Sequence, residues 1–348
     1  MDLHEEHPEP VPSGNPGSHE ETGLPVPPGE PDNPPVPPKF EKTETAPSSV
    51  WMRSLVSLAL YLVIGYYIFP SYQILLLITL IVMIHELGHF VAMKFFRYND
   101  LGIFFIPLLG AYVSGSKREV SQRESAIILL AGPLPGILIG IVFYLLWKQD
   151  PYAGGIAGIS YYTIALLFVL LNLFNLLPVY PLDGGQLLNR VFLNEDNWLS
   201  RAFILLSIGL LGWFAWKSNF PVLFIFPLMM ILRLFGDKRM NSIERKIEEA
   251  GINTDLEYDD LPDEDYWRIR NILISEYPPF RDIPPSPPYS YHEKEEKVMT
   301  TIQGLLHRHL LQDVSVLGKI IIFLIWAAAI ASPWLLQMDM SFFRRFGL

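Results

Sequence analysis

The sequence predicts an α-helical protein that crosses a membrane several times. Three observations support this prediction. Apolar runs of roughly 20 residues, the length a helix needs to cross a bilayer, recur along the chain. Charged residues are scarce within those runs, and most acidic residues fall in two segments outside them. The hydrophobic fraction of 50% is ordinary for a soluble domain, so the clustering of apolar residues decides the class rather than their number.

The formal net charge of −10 is distributed unevenly. Residues 1–50 hold ten acidic and two basic residues, and residues 237–313 hold seventeen acidic and ten basic residues. The remaining residues, 51–236 and 314–348, include nine acidic and fourteen basic residues. The net negative charge therefore lies in the two segments that are expected to be in water. No nucleic-acid partner is expected. There is no cysteine, which excludes disulfides, thiolate metal ligands and a cysteine nucleophile.

Residues 1–50 are predicted to form a disordered, Pro-rich acidic tail. Residues 1–48 contain 13 of the 30 prolines, with Gly, Ser and Glu between them. Such a composition buries too little apolar surface to offset the entropy of ordering. The tail lacks the basic start and apolar stretch of a secretory signal peptide, so none is expected. A polyproline ligand is the alternative interpretation of the same prolines.

Residues 51–236 are predicted to form a membrane-embedded core of six helices. The apolar runs cover 54–69, 72–96, 125–147, 159–177, 202–216 and 221–235. Residues 101–116 are too rich in Gly and Pro for a spanning helix and predict a short β-hairpin or re-entrant element. Gly132, Gly136 and Gly140 follow at four-residue spacing in the third run, a pattern that permits close helix approach in lipid.

The C-terminal part adds two further predictions. Residues 237–313 are expected to form a polar acidic segment or a small soluble domain, with a helical opening and a Pro-rich middle. The apolar run from 314 to 336 predicts a seventh transmembrane helix within residues 314–348. This last helix lies outside the six-helix core.

Basic residues predict the orientation, because loops on the cytoplasmic side are enriched in Lys and Arg. Five basic residues lie between the second and third spans: Lys94, Arg97, Lys117, Arg118 and Arg123. That end is predicted to be cytoplasmic, with the N-terminal tail and residues 237–313 on the same side if all six core spans cross. Four other basic residues fall on the opposite side under this scheme: Lys148, Lys217, Arg344 and Arg345. The last pair implies that the final span does not cross fully or that the spans are miscounted.

The second apolar run contains the motif His85-Glu86-Leu87-Gly88-His89. Histidines four residues apart share one face of a helix, the geometry that a single zinc ion requires of two helical ligands. Glu86 lies beside them, where its carboxylate can act on a water rather than on the metal. A charged side chain at mid-bilayer costs roughly 2.5–3.5 kcal/mol on insertion scales, so these residues indicate function. The alternative is a pair of histidines that join helices by hydrogen bonds.

The depth of this motif follows from its distance to the basic end of the helix. Arg97 lies twelve residues beyond His85. At about 1.5 Å per residue, the motif lies roughly 15–18 Å from that end. The site is therefore expected below the membrane surface, in the cytoplasmic half of the bilayer.

Asp183 is the candidate for the third ligand that a catalytic zinc site needs beside an open position. It is the only acid between Asp150 and Glu195, and it follows Pro178 and Pro181. A proline-broken helix exposes backbone polar groups, which a membrane tolerates only where they line a cavity. Two glycines follow and permit a tight ligand turn. Alone the segment would be an ordinary turn, but with the histidine motif it predicts a ligand.

Together, the segments His85–His89 and Asn175–Gly185 resemble the paired signature of the site-2 protease family of intramembrane zinc metalloproteases. Two weaker similarities lie between them. Gly110–Val113 is similar to the hairpin strand that follows the family's zinc helix, and Ala131–Pro133 is similar to the motif that opens the next span. The resemblance covers about residues 54–235, in the family's order.

The resemblance implies a role for each matching residue. The implied site has one zinc per chain with ligands His85, His89 and Asp183, the catalytic acid/base Glu86, and Asn175 holding the substrate or stabilising the oxyanion. The strand around Gly110–Val113 would pair with an unwound substrate segment by β-addition. Many family members carry an inserted PDZ domain, for which the loops here are too short. The resemblance does not extend to the acidic tails or the last span.

The sequence therefore favours a zinc endopeptidase that cleaves a transmembrane protein or peptide within the lipid bilayer, as in regulated intramembrane proteolysis. One alternative is a catalytically silent relative that binds a membrane helix through the same groove. The retained Glu86 argues against it. Another is a metal transporter, which usually distributes polar residues over several spans. The sequence does not predict the substrate, a requirement for earlier cleavage, or the oligomeric state.

Overall fold

The computed structural model describes residues 36–41, 50–69, 71–107, 110–117, 120–152, 154–193, 197–219, 221–306 and 310–338. Backbone contacts divide the chain into a unit of residues 1–38 and a unit of residues 39–348, and all described helices and strands belong to the second. Most of the predicted tail lies outside the described residues. So do Arg344 and Arg345, on which part of the orientation prediction depends.

The second unit consists of helices and three small two-stranded sheets. The helices are α1 (Val50–Ile68), α2 (Tyr72–Phe95), α3 (Gln122–Ala131), α4 (Pro133–Gln149), α5 (Tyr161–Asn175), α6 (Asp183–Leu187), α7 (Trp198–Lys217), α8 (Ile225–Glu249), α9 (Asp263–Glu276), α10 (Glu295–Leu305) and α11 (Val316–Leu335). The strands are β1 (Asn99–Ile106), β2 (Gly110–Ser116), β3 (Val120–Ser121), β4 (Gly155–Ile156), β5 (Ile159–Ser160) and β6 (Leu310–Leu311). A π-helical turn, Leu188–Leu193, continues α6.

Within the described part of the chain, five helical segments are long and apolar enough to cross a membrane. They are α1, α2, the joined pair α3–α4, α7 and α11. The fourth predicted span contains strand β5, the 15-residue α5 and the irregular chain after it. The sixth predicted span begins with a 3₁₀ turn, Pro221–Phe224, and continues as α8 without interruption to Glu249. The protein is thus the α-helical membrane type that the sequence predicts.

The third predicted span is two helices that meet at Gly132 and Pro133. Proline interrupts the helical hydrogen-bond ladder because it has no N–H. Close packing explains Gly132, the residue between α3 and α4, and Gly136 in the first turn of α4. A Cβ at Gly132 would overlap the His89 ring, and a Cβ at Gly136 would overlap the Asn172 amide. The predicted close approach of helices therefore brings α4 against the helices that carry the site.

Strands β1 and β2 form the antiparallel hairpin expected from the Gly- and Pro-rich stretch, with Ile103 opposite Val113. Helix α1 covers β1, and the Phe105 N–H donates to Ser57 Oγ at 3.1 Å. Tyr61 of α1 and Phe105 are buried together in a small apolar cluster. One edge of β2 pairs with β1, while β2 also lines the cleft described below.

The chain after the core folds around a buried ion pair between Arg270 of α9 and Glu295 of α10. Arg270 Nε donates to Glu295 Oε1 at 2.7 Å, and Nη2 donates to Oε2 at 3.1 Å. Tyr266 donates its hydroxyl to the same carboxylate at 2.6 Å, and the guanidinium lies 4.9 Å from the centroid of the Trp267 ring. The desolvation cost of a buried pair is offset only when its remaining hydrogen bonds are made, as they are here.

Two contacts attach this segment to other parts of its unit. The Lys39 N–H donates to Asp263 Oδ1 at 2.8 Å, so the end of the predicted tail lies against α9. Strand β6 pairs in parallel with β3, and Ser121 Oγ donates to Asp313 Oδ2 at 2.6 Å. The second contact places the chain before α11 at the N-terminal end of α3, beside the loop with the clustered basic residues.

Candidate metal centre and cleft

Helix α2 presents three buried ionisable side chains, His85, Glu86 and His89, each less than 10% exposed. The helix begins at Ser71, whose side chain accepts from the Ile74 N–H, and continues unbroken through an apolar sequence. The four-residue spacing brings the two imidazoles together edge to face, with ring centroids 4.8 Å apart and an interplanar angle of 78°. The sequence-predicted pair therefore shares one helix face.

Asp183 at the start of α6 faces both histidines. Its Oδ2 lies 3.1 Å from His85 Nε2 and 3.4 Å from His89 Nε2, and the two Nε2 atoms are 3.1 Å apart. The three ligand atoms all lie within 4.8 Å of one another. Two histidine nitrogens and one carboxylate oxygen form a donor set that suits a catalytic zinc ion with an open position.

Hydrogen bonds on the far side of each ring fix which nitrogen faces Asp183. His85 Nδ1 lies 2.9 Å from Asn172 Oδ1, and Asn172 Nδ2 donates to the Phe168 carbonyl at 2.8 Å, which orients the amide. His89 Nδ1 lies 2.8 Å from the Ile128 carbonyl. Both Nδ1 partners are acceptors, so both Nδ1 atoms carry a hydrogen. This is the outer-shell arrangement that orients metal-ligating histidines.

The resulting arrangement suits a cation. With a hydrogen on each Nδ1, the neutral rings turn the lone pairs of Nε2 toward Asp183, and Asp183 Oδ2 is buried without a hydrogen-bond donor. Three electron-rich atoms then converge in a largely buried site. Buried polar atoms normally find a partner, and a bound metal ion satisfies all three at once.

The irregular chain between α5 and α6 positions Asp183. The Leu182 N–H donates to the Val179 carbonyl at 3.0 Å, and the Gln186 N–H donates to the Leu182 carbonyl at 2.8 Å. The Tyr180 N–H donates to Ser207 Oγ of α7 at 3.1 Å. These bonds satisfy backbone groups that the predicted proline break releases from the helix.

A cavity of about 860 Å³ opens beside the three candidate ligands. Strand β2 contributes to its lining, and so do Asn175, Tyr180 and Arg233. Glu86 and Val113 of β2 also line the cavity. Arg233 donates to the Tyr180 hydroxyl at 2.6 Å, which joins α8 to the loop before Asp183.

The structure thus brings His85, His89 and Asp183 together and places Glu86 beside them. Asn175 lines the same cavity, and its Nδ2 donates to the Leu171 carbonyl at 3.2 Å. The sequence leaves two interpretations of Asn172, a place in the site with Asn175 or packing between helices. Its position three residues before Asn175 was the available signal. No sequence signal pointed to the Ile128 carbonyl.

Asn172→Ala is expected to weaken zinc binding by roughly 10–100-fold, the usual cost of losing an outer-shell partner. The substitution removes the acceptor that holds His85 Nδ1. Competition with a chromophoric chelator measures the affinity in purified protein. Asn175→Ala is the matched comparison, because the Asn175 amide bonds to the backbone of its own helix. Equal zinc affinity in wild type and Asn172→Ala would contradict this role for Asn172.

Comparisons with known proteins find a family match over part of the chain. Residues 73–152 match the model of peptidase family M50. The chain is 33% identical over 119 residues to stage IV sporulation protein FB of Bacillus subtilis, covering 34% of this chain and 40% of that protein. It is 31% identical over 169 residues to zinc metalloprotease MJ0392 of Methanocaldococcus jannaschii, covering 48% of this chain and 44% of that protein. The chain therefore spans less than half the length of these two curated relatives.

Among solved structures, the site-2 protease from Methanocaldococcus jannaschii matches with a TM-score of 0.38 and 22% identity, covering 51% of this chain and 84% of that chain. The family match and the curated relatives confirm the resemblance predicted from the paired motifs.

Proposed function

We propose, since residues 73–152 match the model of peptidase family M50, that this chain is an intramembrane zinc metalloprotease. It would hydrolyse a peptide bond in or near a transmembrane segment of a membrane-protein substrate. The observation that carries the proposal is the convergence of His85, His89 and Asp183 beside Glu86 in one cavity. A relative described as a zinc metalloprotease supports the choice of metal.

In this proposal His85, His89 and Asp183 hold one zinc ion through Nε2, Nε2 and a carboxylate oxygen. When bound, zinc polarises the scissile carbonyl and makes water a better nucleophile. Glu86 takes the proton from the attacking water and delivers it to the leaving amine. Its position one residue after His85 keeps the carboxylate in the cavity but outside the ligand cluster.

The proposed role of β2 is to hold the substrate in an extended form. A helical substrate must unwind before hydrolysis, because its carbonyls are engaged in its own helix. An unwound segment added along β2 would make main-chain hydrogen bonds beside Glu86. Asn175, which also lines the cavity, is proposed to hold the substrate or stabilise the oxyanion.

We place the site in the cytoplasmic half of the bilayer, with the N-terminal tail and residues 237–313 on the cytoplasmic side. The contact of Lys39 with Asp263 supports a shared side for the tail and the acidic segment. The contact of Ser121 with Asp313 supports placing that segment at the basic end of the core. Water and substrate would both reach the site from there.

The proposal is tested with purified protein in lipid vesicles and a panel of transmembrane peptides that contain helix-weakening residues. Hydrolysis is expected with zinc bound, should stop after treatment with a zinc chelator, and should return when zinc is restored. Product formation is followed by mass spectrometry. If protein with stoichiometric zinc cleaves none of the peptides, the proposal fails in favour of a silent helix-binding relative.

A further inference from the structure

The backbone after α5 presents a buried carbonyl, that of Leu176, which its own helix cannot satisfy. The last carbonyls of a helix have no intrahelical donor. Leu176 is 1% exposed, so water does not supply one. At membrane depth such a group is tolerated only when another part of the protein donates to it.

The donor comes from the last helix, α11. Trp326 Nε1 donates to the Leu176 carbonyl at 2.9 Å. The same helix contributes Ala329 to the buried cluster that contains Leu176 and Leu187, and Trp326 packs against that cluster. Just beyond α11, the Gln337 carbonyl accepts from the Tyr144 hydroxyl of α4 at 3.1 Å. Helix α11 and the residues just after it are therefore hydrogen-bonded to the core at two points, the Leu176 carbonyl and the Tyr144 hydroxyl.

The Leu176 carbonyl also contacts the chain that carries the third candidate ligand. Gly184 approaches this oxygen so closely that a Cβ at Gly184 would overlap it. Gly184 directly follows Asp183, whose Oδ2 faces His85 and His89. The carbonyl is thus held between the Trp326 indole on one side and the backbone of the ligand turn on the other. A shift of Leu176 would move Gly184 and, with it, Asp183.

We propose that Trp326 is a positioning residue for the candidate metal centre. The C-terminal helix α11, to which the resemblance to site-2 proteases assigns no role, holds the Asp183 turn in place through the Leu176 carbonyl. The inference rests on the proposed function in taking Asp183 as a zinc ligand. It adds that the donor set depends on a helix about 140 residues farther along the chain.

The test compares metal binding by wild type, Trp326→Phe and the control Trp334→Phe in the full chain. Trp326→Phe keeps an aromatic ring but removes the N–H donor. It is expected to weaken zinc binding by roughly threefold to tenfold, at or below the lower end of the range for outer-shell partners. The visible spectrum of bound Co²⁺ should shift, since the geometry around Asp183 changes. Trp334 lies on the same helix with 64% exposure, and its variant should bind both metals as wild type does.

A second pair of variants keeps the test decisive if Trp326→Phe does not fold. Trp326→Gln and Trp326→Met have side chains of similar length, but only Gln carries an N–H donor. Tighter zinc binding by the Gln variant is expected. The inference is overturned if Trp326→Phe gives wild-type affinity and spectrum, or if the Gln and Met variants bind alike. Failure of wild type to bind zinc would instead overturn the proposed function.

Discussion

Glu86→Gln is expected to abolish peptide hydrolysis while zinc remains bound. The amide keeps the size and hydrogen-bonding capacity of the side chain but cannot accept the proton of the attacking water. General acid–base catalysis is typically worth about 10²–10⁴-fold, and Glu86 serves both as base and as acid in the proposed reaction, so a loss of at least about 10³-fold is expected. The three ligand atoms belong to other residues, so metal content should stay at one zinc per chain.

The initial cleavage rate in vesicles and the zinc content by elemental analysis are measured on the same purified sample. Glu264→Gln is the control, because Glu264 is an exposed residue of α9 in the acidic segment. It should retain wild-type hydrolysis. Undiminished cleavage by Glu86→Gln would remove Glu86 from the mechanism and with it the assignment of the motif.

Asp183→Asn is expected to lose zinc and therefore all hydrolysis. The substitution replaces a carboxylate oxygen, 3.1 and 3.4 Å from the two histidine nitrogens, with a neutral amide of the same shape. Even outer-shell partners cost about 10–100-fold in metal affinity, so loss of a direct ligand should exceed about 100-fold. Zinc should raise the melting temperature of wild type, since a ligand stabilises the state it binds, and should leave that of Asp183→Asn unchanged.

Asp150→Asn provides the control, since Asp150 is an exposed acid at the far end of α4 that accepts from the Tyr152 N–H. Its variant should bind zinc and cleave peptides like wild type. If Asp183→Asn keeps stoichiometric zinc at wild-type affinity, another residue supplies the third ligand and the proposed centre is wrong.

The candidate ligands were predictable because each has a recognisable feature in its own stretch of sequence. The spacing of His85 and His89 fixes a shared helix face without knowledge of the tertiary fold. Asp183 stood out as a lone acid after a proline-broken apolar run. The hairpin of β1 and β2 followed from glycine and proline in a stretch otherwise apolar enough to be helical.

The hydrogen bonds that orient the site were not predictable in the same way, because they join distant parts of the chain. The Ile128 carbonyl reaches His89 only because α3 packs against α2, and Trp326 reaches Leu176 from α11. Neither partner has a distinctive local sequence. Asn172 was visible as a polar residue in an apolar helix, but its contact with His85 depends on how α5 lies against α2.

Helix boundaries also depended on more than hydropathy. Helix α8 continues from an apolar run into the charged sequence up to Glu249, because Ile243 and Ile247 pack into the core of the acidic segment. The charge change near residue 237, which predicts a domain boundary, falls within one continuous helix. The buried pair of Arg270 and Glu295 was likewise hidden among many surface charges.

The measurement that tests the central claim most directly is the position of cleavage in a membrane-embedded peptide. Zinc-loaded wild type and Glu86→Gln are incubated in parallel with vesicles that contain the peptide, and the products are mapped by mass spectrometry. The account predicts a cut within or at the cytoplasmic edge of the lipid-buried segment by wild type and none by the variant. Equal products from both proteins, or an intact peptide with fully zinc-loaded wild type across the panel, would contradict it.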